Sequence, residues 1–354
     1  MASPPTSPPA FAETGLLKIL LFPDKLKALQ KAVATPDPSY PVSVELSLAH
    51  LCNLNCAYCS DARIREAPAS LSAALLENLF RDLAAGGTRG LTIEGGGEPT
   101  LSPLFPAAAE KARARGLALG LITNGVRLFT PATPLSFYEA FQWIRVSLDA
   151  ASPEEFQELK GRDAYHEVLS NIRALCSIPG PRRPAVGVGY VLTSRNDDPA
   201  RVLSLARDLE DMGAAYLQIR PVVDCPKLSS AAENDPFWGA ELRALPFVNL
   251  APLRENLVEG NASLPCLAHS LTSVIGADGL VWLCGRLNVR PVLRPIGDLT
   301  KESFAAIWDG ETRRRQTQTL LSGSFCAENC PRCRLSKYNA LIASLSQAKS
   351  PDFI

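Results

Sequence analysis

Cys52, Cys56 and Cys59 stand with three and then two residues between them in the stretch LSLAHLCNLNCAYCSDARI. A loop with that spacing can gather three thiolates around one corner of a metal cluster. Structural zinc takes four protein ligands in a tetrahedron, and no fourth ligand stands close by; His50 is a packed or solvated strand-end side chain. An iron-sulfur cube held by three thiolates leaves one iron open, and an open iron is a place for a further molecule to bind. A zinc-only reading of the triad remains the alternative. The same spacing recurs at Cys326, Cys330 and Cys333, in CAENCPRC.

A further pair, Cys266 and Cys284, encloses seventeen residues, and SVIGADGLVWLC, which ends at Cys284, reads as strand, Gly-Ala-Asp-Gly turn, strand. Such a hairpin draws two distant thiols toward one centre. Cys330 and Cys333 complete a set of four, and Cys326 is a fifth candidate for those positions. A four-cysteine zinc knuckle is the competing account, because spacing does not distinguish zinc from iron-sulfur. Cys176, inside an apolar helix pattern, reads as a small buried hydrophobe, and Cys225 follows the sixth strand.

The elements that must position these groups begin at Pro41. Short β-like runs at 42–48, 90–95, 116–123, 141–149, 185–193 and 214–221 alternate with helix candidates at Ser70 to Ala85, Pro103 to Arg115, Ser152 to Cys176 and Asp197 to Met212. Six β-α alternations require long crossovers and so predict a parallel sheet, in α/β class. Cys52, Gly95 to Pro99, Thr123 to Gly125, Ser147 with Asp149, Ser194 to Asn196 and Arg220 each fall at the C-terminal end of a run. That is the end at which barrel enzymes carry their active sites, and it favours a curved partial (β/α)6 barrel of TIM type. The expected organisation is a flexible tail and N-terminal helix at 1–41, the barrel at 42–225, and a linker with a smaller C-terminal module at 226–354. Within the first of these, the Pro-, Ser- and Thr-rich residues 1 to about 14 cannot bury enough apolar surface to fold.

The chain is long enough, at 354 residues, for a full core and an appended module. Its 36 basic and 36 acidic residues cancel, so neither nucleic acid nor a membrane surface is indicated as a partner. The one dense basic run, Arg313 to Arg315, suits an exposed helix face. The N-terminus lacks a secretion signal and no apolar run is long enough to span a bilayer, which reads as a soluble cytoplasmic protein. There, ten cysteines stay reduced and their clustering argues for metal ligation.

Cys52, Cys56, Tyr58 and Cys59, followed by GGGEPT after the second strand, resemble the radical S-adenosylmethionine (SAM) superfamily, whose loop is C-x-x-x-C-x-aromatic-C. The resemblance covers about residues 42 to 221. It implies that Cys52, Cys56 and Cys59 ligate a 4Fe-4S cluster whose fourth iron is chelated by SAM. It further implies that Gly96, Gly97, Glu98 and Pro99 receive the SAM ammonium through backbone and carboxylate, and that Tyr58 offers a flat surface to the adenine. Ser147 and Asp149 take the ribose-contacting strand end, with Thr123 and Asn124 beside them. The C-terminal cysteines resemble the auxiliary-cluster modules called SPASM and Twitch, implying a second 4Fe-4S cluster on Cys266, Cys284, Cys330 and Cys333, with Cys326 in reserve.

By resemblance, one electron from a flavodoxin- or ferredoxin-type donor splits SAM to a 5'-deoxyadenosyl radical that abstracts hydrogen from substrate. The first expectation is an oxidoreductase that oxidises a small hydroxylated molecule such as a sugar, nucleotide sugar or aminocyclitol. Arg220, and Arg286 as a second candidate, would bind a phosphate or carboxylate or assist deprotonation. The alternative is modification of a peptide or maturing protein; the 41 residues ahead of the barrel, too few for a leader-binding winged helix, tilt the reading toward small molecules. A third reading is a non-catalytic iron-sulfur or zinc scaffold.

Overall fold

The computed structural model describes residues 16, 18–32, 37–235, 238–250, 264–330, 333 and 335–346. The expected flexible tail lies outside them.

Six parallel strands appear in the predicted order: β1 (Ser43–Leu46), β2 (Gly90–Ile93), β3 (Ala118–Thr123), β4 (Phe141–Ser147), β5 (Ala185–Leu192) and β6 (Tyr216–Pro221). Neighbours in sequence pair in parallel from β1 through β6. Val44, Leu46, Leu91, Ile93, Ile144 and Val146 are fully buried on one face of their strands. The residues between them, Glu45, Thr92, Arg145 and Ser147, are only half-buried. A two-residue period therefore separates an oily outer layer against the helices from a polar inner wall.

The crossover helices are α1 (Pro23–Lys31), ahead of the barrel, then α2 (Ala73–Ala85), α3 (Phe105–Ala114), α4 (Pro153–Lys160), α5 (Tyr165–Cys176) and α6 (Pro199–Asp211). Side-chain oxygens of Ser72, Ser152 and Asp198 accept from the first-turn N–H groups of α2, α4 and α6, the usual satisfaction of orphan donors at a helix start. The single helix expected over Ser152 to Cys176 is in fact two. Gly161 ends α4 with φ of 71°, a left-handed conformation that costs glycine little and turns the chain before α5. Cys176 is buried at the end of α5, as a hydrophobe would be.

The sheet does not stop at six strands. β7 (Val248–Leu250) pairs in parallel with β6, beyond the point where alternation was expected to cease. The predicted hairpin forms as β8 (Thr272–Ile275) and β9 (Leu280–Trp282), antiparallel as read. β8 then pairs in parallel with β1, from Ser43 opposite Thr272 to Leu46 opposite Ile275. With β10 (Gly297–Asp298) on β9, one ten-stranded sheet runs through both halves of the chain in the order β10-β9-β8-β1-β2-β3-β4-β5-β6-β7.

The segment before the barrel also belongs to the C-terminal half. Ile19, Leu29 and Ala32 share a second core with Leu267, Ala268, Leu271, Leu335 and Ile342. Lys25 is buried there, 2.6 Å from Asp37, and donates to the Ser39 and Tyr40 carbonyls. Arg313, expected on an exposed face, is 2% exposed. Its guanidinium donates to the Trp308 and Asp37 carbonyls and lies 4.7 Å from the Trp308 ring centroid, which supplies the partners a buried cation needs.

Candidate active site

The predicted residues converge on the C-terminal ends of the strands. A cavity of about 340 Å3 is lined by Cys52, Cys56 and Cys59 from the loop after β1, by Gly95, Gly97 and Glu98 after β2, and by Thr123 and Asn124 at the end of β3. Ser147 and Asp149 at the end of β4 and Arg220 near the end of β6 complete the wall. Its volume lies in the range of small-ligand sites. The three thiols share one neighbourhood, and burial raises the Cys56 thiol to about 11. The Asn124 side-chain amide stands 3.9 Å from the Cys52 sulfur and donates to Asn53 at 2.7 Å. His50 is packed, its Nδ1 2.8 Å from the Ala67 carbonyl.

Gly97 carries the close approach between the loops. A Cβ there would lie 2.1 Å from the Leu51 carbonyl oxygen and 2.6 Å from the His50 carbonyl carbon. The Glu98 N–H donates to that same Leu51 oxygen at 2.8 Å. Backbone cannot rotate away as a side chain can, so Gly97→Ala must push the cysteine loop off the loop after β2, a strain of about 1–3 kcal/mol. The expected result is SAM binding weakened by about tenfold or more, read as the ligand-induced change in the paramagnetic signal of the reduced N-terminal cluster. Parent-like titration would contradict the close packing.

Two carboxylates of the cavity are engaged by partners within the protein. Glu98 is buried and its Oε1 accepts from the Thr100 N–H and hydroxyl at 3.1 and 2.8 Å and the Thr123 hydroxyl at 2.7 Å, while Oε2 accepts from the Asn124 N–H at 2.7 Å. Burial raises its proton affinity against the pull of those donors. It ties the loop after β2 to the end of β3. Asp149 is likewise occupied, accepting from Tyr58 Oη at 2.8 Å and the Val191 N–H at 2.7 Å, with Lys160 Nζ at 2.8 Å. Its backbone is left-handed, φ 56°, a conformation Asp tolerates better than most residues. Asp149 lines the cavity and at the same time fastens the ring of Tyr58 to β5.

Lys160 was not legible as a site residue. It is 1% exposed, donates to the Ser147 carbonyl and stands 5.3 Å over the Phe156 ring. Asn196, in the polar cluster read after the fifth strand, is buried, and its amide donates to the Asp149 and Val191 carbonyls at 2.9 Å each. Arg220 lines the cavity, where the charges of Asp149 and Glu94 attract its guanidinium and that of Arg145 repels it. Arg286 does not reach that cavity. It pairs with Asp224 at 2.5 Å, which removes it as a free anion binder.

The C-terminal cysteines also come together. The Cys326 thiol lies against those of Cys266 and Cys330; the Cys266 contact, together with burial, raises it to about 12, against the Cys330 contact, which lowers it. Cys284 is half-buried, is raised to about 11 by desolvation, and senses Cys333 and Cys330. Backbone N–H groups of Leu287 and Arg286 reach the Cys284 sulfur, the Leu335 N–H stands 3.4 Å from that of Cys333, and the Asn339 amide 3.8 Å from that of Cys266. Among the described residues no three such donors close around a single metal ion. Tetrahedral zinc, with bonds of about 2.3 Å to sulfur, needs a tighter set than a cluster whose ligands stand at separate corners. The donor chemistry and spacing thus fit iron-sulfur at both places.

Residues 46–206 match the Radical SAM superfamily and residues 266–334 the SPASM iron-sulfur cluster-binding domain. The chain thus carries a radical SAM domain followed by a SPASM domain. Radical SAM domains bind a 4Fe-4S cluster and SAM, and the SPASM domain indicates an auxiliary iron-sulfur cluster. The chain is 29% identical over 158 residues to the mycofactocin maturase of Mycobacterium tuberculosis, covering 44% of this chain and 39% of that protein. It is 25% identical over 253 residues to the PqqA peptide cyclase of Streptomyces rochei, covering 71% and 62%. The alignments thus span less than two thirds of either relative. Streptococcus suis SuiB, in its structure with the precursor peptide SuiA, superposes with a TM-score of 0.65 over 96% of this chain and 80% of that one, at 14% identity, and shares the fold. Among the described residues no helix is long and apolar enough to cross a membrane.

Proposed function

We propose that this chain is a radical SAM enzyme that modifies a peptide or a maturing protein by hydrogen abstraction. The relatives support the peptide over the small hydroxylated molecule expected first, because a maturase and a peptide cyclase stand among them. The observation that carries the enzymatic reading is the single cavity onto which the cysteine triad, the loop after β2 and the ends of β3, β4 and β6 all open.

In this reading Cys52, Cys56 and Cys59 hold the cluster, and Cys266, Cys284, Cys330 and Cys333, with Cys326 adjoining, hold the auxiliary one. When bound, cluster and SAM supply one-electron cleavage of the sulfonium and removal of a substrate hydrogen. The chain's own residues supply placement. Glu98, through Thr123 and Asn124, fixes the backbone of Gly96, Gly97 and Pro99 toward the SAM amino group. Asp149 and Lys160 hold Tyr58 along the cavity wall beside the nucleoside, and Ser147 ends the strand next to it. Arg220 presents a cation for a carboxylate. Val222 and Val223, over the same cavity, help exclude water.

The test is anaerobic incubation of the reconstituted protein with SAM, dithionite and peptides encoded beside its gene, with and without deuterium at candidate carbons. The expected products are 5'-deoxyadenosine carrying deuterium from a peptide and a peptide of altered mass. Formation of 5'-deoxyadenosine with label from a sugar or cyclitol and none from any peptide would restore the small-molecule reading. No 5'-deoxyadenosine at all would leave a non-catalytic scaffold.

A further inference from the structure

A second cavity, of about 730 Å3, adjoins the first and shares Tyr58, Cys59 and Val223 with it. Asp224 and Cys225 of the loop after β6 face the 289–292 segment across it. Asp224 is held in the left-handed region at φ 61°. Its carboxylate is gripped by two guanidiniums from the C-terminal half, Arg286 at 2.5 and 3.4 Å and Arg290 at 2.8 Å. The Arg286 side chain is 15% exposed, and its Nε stands 3.4 Å from the carbonyl of Asn329, the residue before Cys330. Arg286 is also two residues after Cys284, whose sulfur accepts from its backbone N–H.

One side chain therefore spans from the cavity wall to the backbone beside two cysteines of the auxiliary set. We infer that Arg286 is a positioning residue that sets the reduction potential of the auxiliary cluster, with Asp224 as its counter-charge on the cavity side. The inference rests on the iron-sulfur reading of the C-terminal cysteines and goes beyond the proposed substrate. The physics is that of net charge near a cluster: adding an electron is favoured by a nearby cation and opposed by a nearby anion. The two partners consequently act with opposite sign. Removing the Arg286 charge makes the cluster harder to reduce. Removing the Asp224 charge leaves Arg286 and Arg290 uncompensated and makes it easier.

The experiment uses the full chain with Cys52, Cys56 and Cys59 changed to alanine, so that only the auxiliary cluster reports, and needs neither SAM nor substrate. Iron and sulfide are quantified, and an anaerobic redox titration is followed by paramagnetic resonance for this parent, Arg286→Gln, Arg286→Lys and Asp224→Asn. Expected at a fixed potential is about a tenfold fall in the reduced-to-oxidised ratio for Arg286→Gln, about 59 mV for one electron. A rise is expected for Asp224→Asn, and recovery toward the parent for Arg286→Lys. Loss of a merely structural clasp would move Arg286→Gln and Asp224→Asn in the same direction, and that result overturns the inference. So does an unmoved potential in both, or a parent that binds no C-terminal iron. Failure of the peptide reading, by contrast, would appear only in the product assay.

Discussion

Changing Cys52, Cys56 and Cys59 together to alanine is expected to abolish formation of 5'-deoxyadenosine and to leave the iron of the C-terminal set in place. The three thiols line one cavity, and none of the C-terminal cysteines does. A cluster cannot be retained on a loop from which every thiolate has gone. The loss is thus all-or-none, not a graded fall in rate. Iron content before and after the change, set beside product formation, makes the check. Retained cleavage would place the reaction elsewhere, and a parallel loss of C-terminal iron would count against a separate C-terminal cluster.

The second large effect concerns Lys160. Replacing it with Met removes the cation 2.8 Å from Asp149 while the carboxylate stays 3% exposed. Breaking one side of a buried pair costs about 3–5 kcal/mol, because the remaining charge is left without compensation. For a chain this size that is about 4–7 °C in melting temperature. Asp149→Asn in the same background should recover part of the loss, since removing both charges is far cheaper than removing one. Thermal unfolding of the four proteins of this cycle measures it. A Lys160→Met protein within about 1 kcal/mol of the parent would mean that the charge is not buried as described.

Much of the fold was legible because its strands announce themselves. Val42 to Leu48 and Ala185 to Thr193 alternate or run in β-branched residues, and each is followed by a polar cluster at the same end. The break at Gly161 was also present in the sequence: Lys160 in a last turn followed by glycine is a stop signal, overridden in the reading by apolar periodicity on either side of it. β7 escaped because three residues carry no measurable period. The pairing of β8 with β1 joins residues more than two hundred apart, and local pattern says nothing about such partners. The same holds for the Leu29 and Leu267 core.

The site was legible in its thiols and less so in its charges. Cysteine spacing reports geometry directly, since the loop itself sets the distances. A carboxylate reports only capacity: Glu98 and Asp149 were placed correctly at strand ends, yet their oxygens are committed to Thr100, Thr123, Asn124, Tyr58, Val191 and Lys160. Arg313 misled for the converse reason, as its burial depends on Trp308 and Asp37, which composition cannot bring together.

The hydrogen bonds between β1 and β8 decide what happens if the chain is cut. A fragment ending near residue 225 would bare the flank of β1, where Ser43 to Leu46 face Thr272 to Ile275, and unpaired strand flanks recruit other chains. The front half is therefore expected to aggregate when expressed alone, and swapping the rear half between relatives would have to preserve that seam residue for residue.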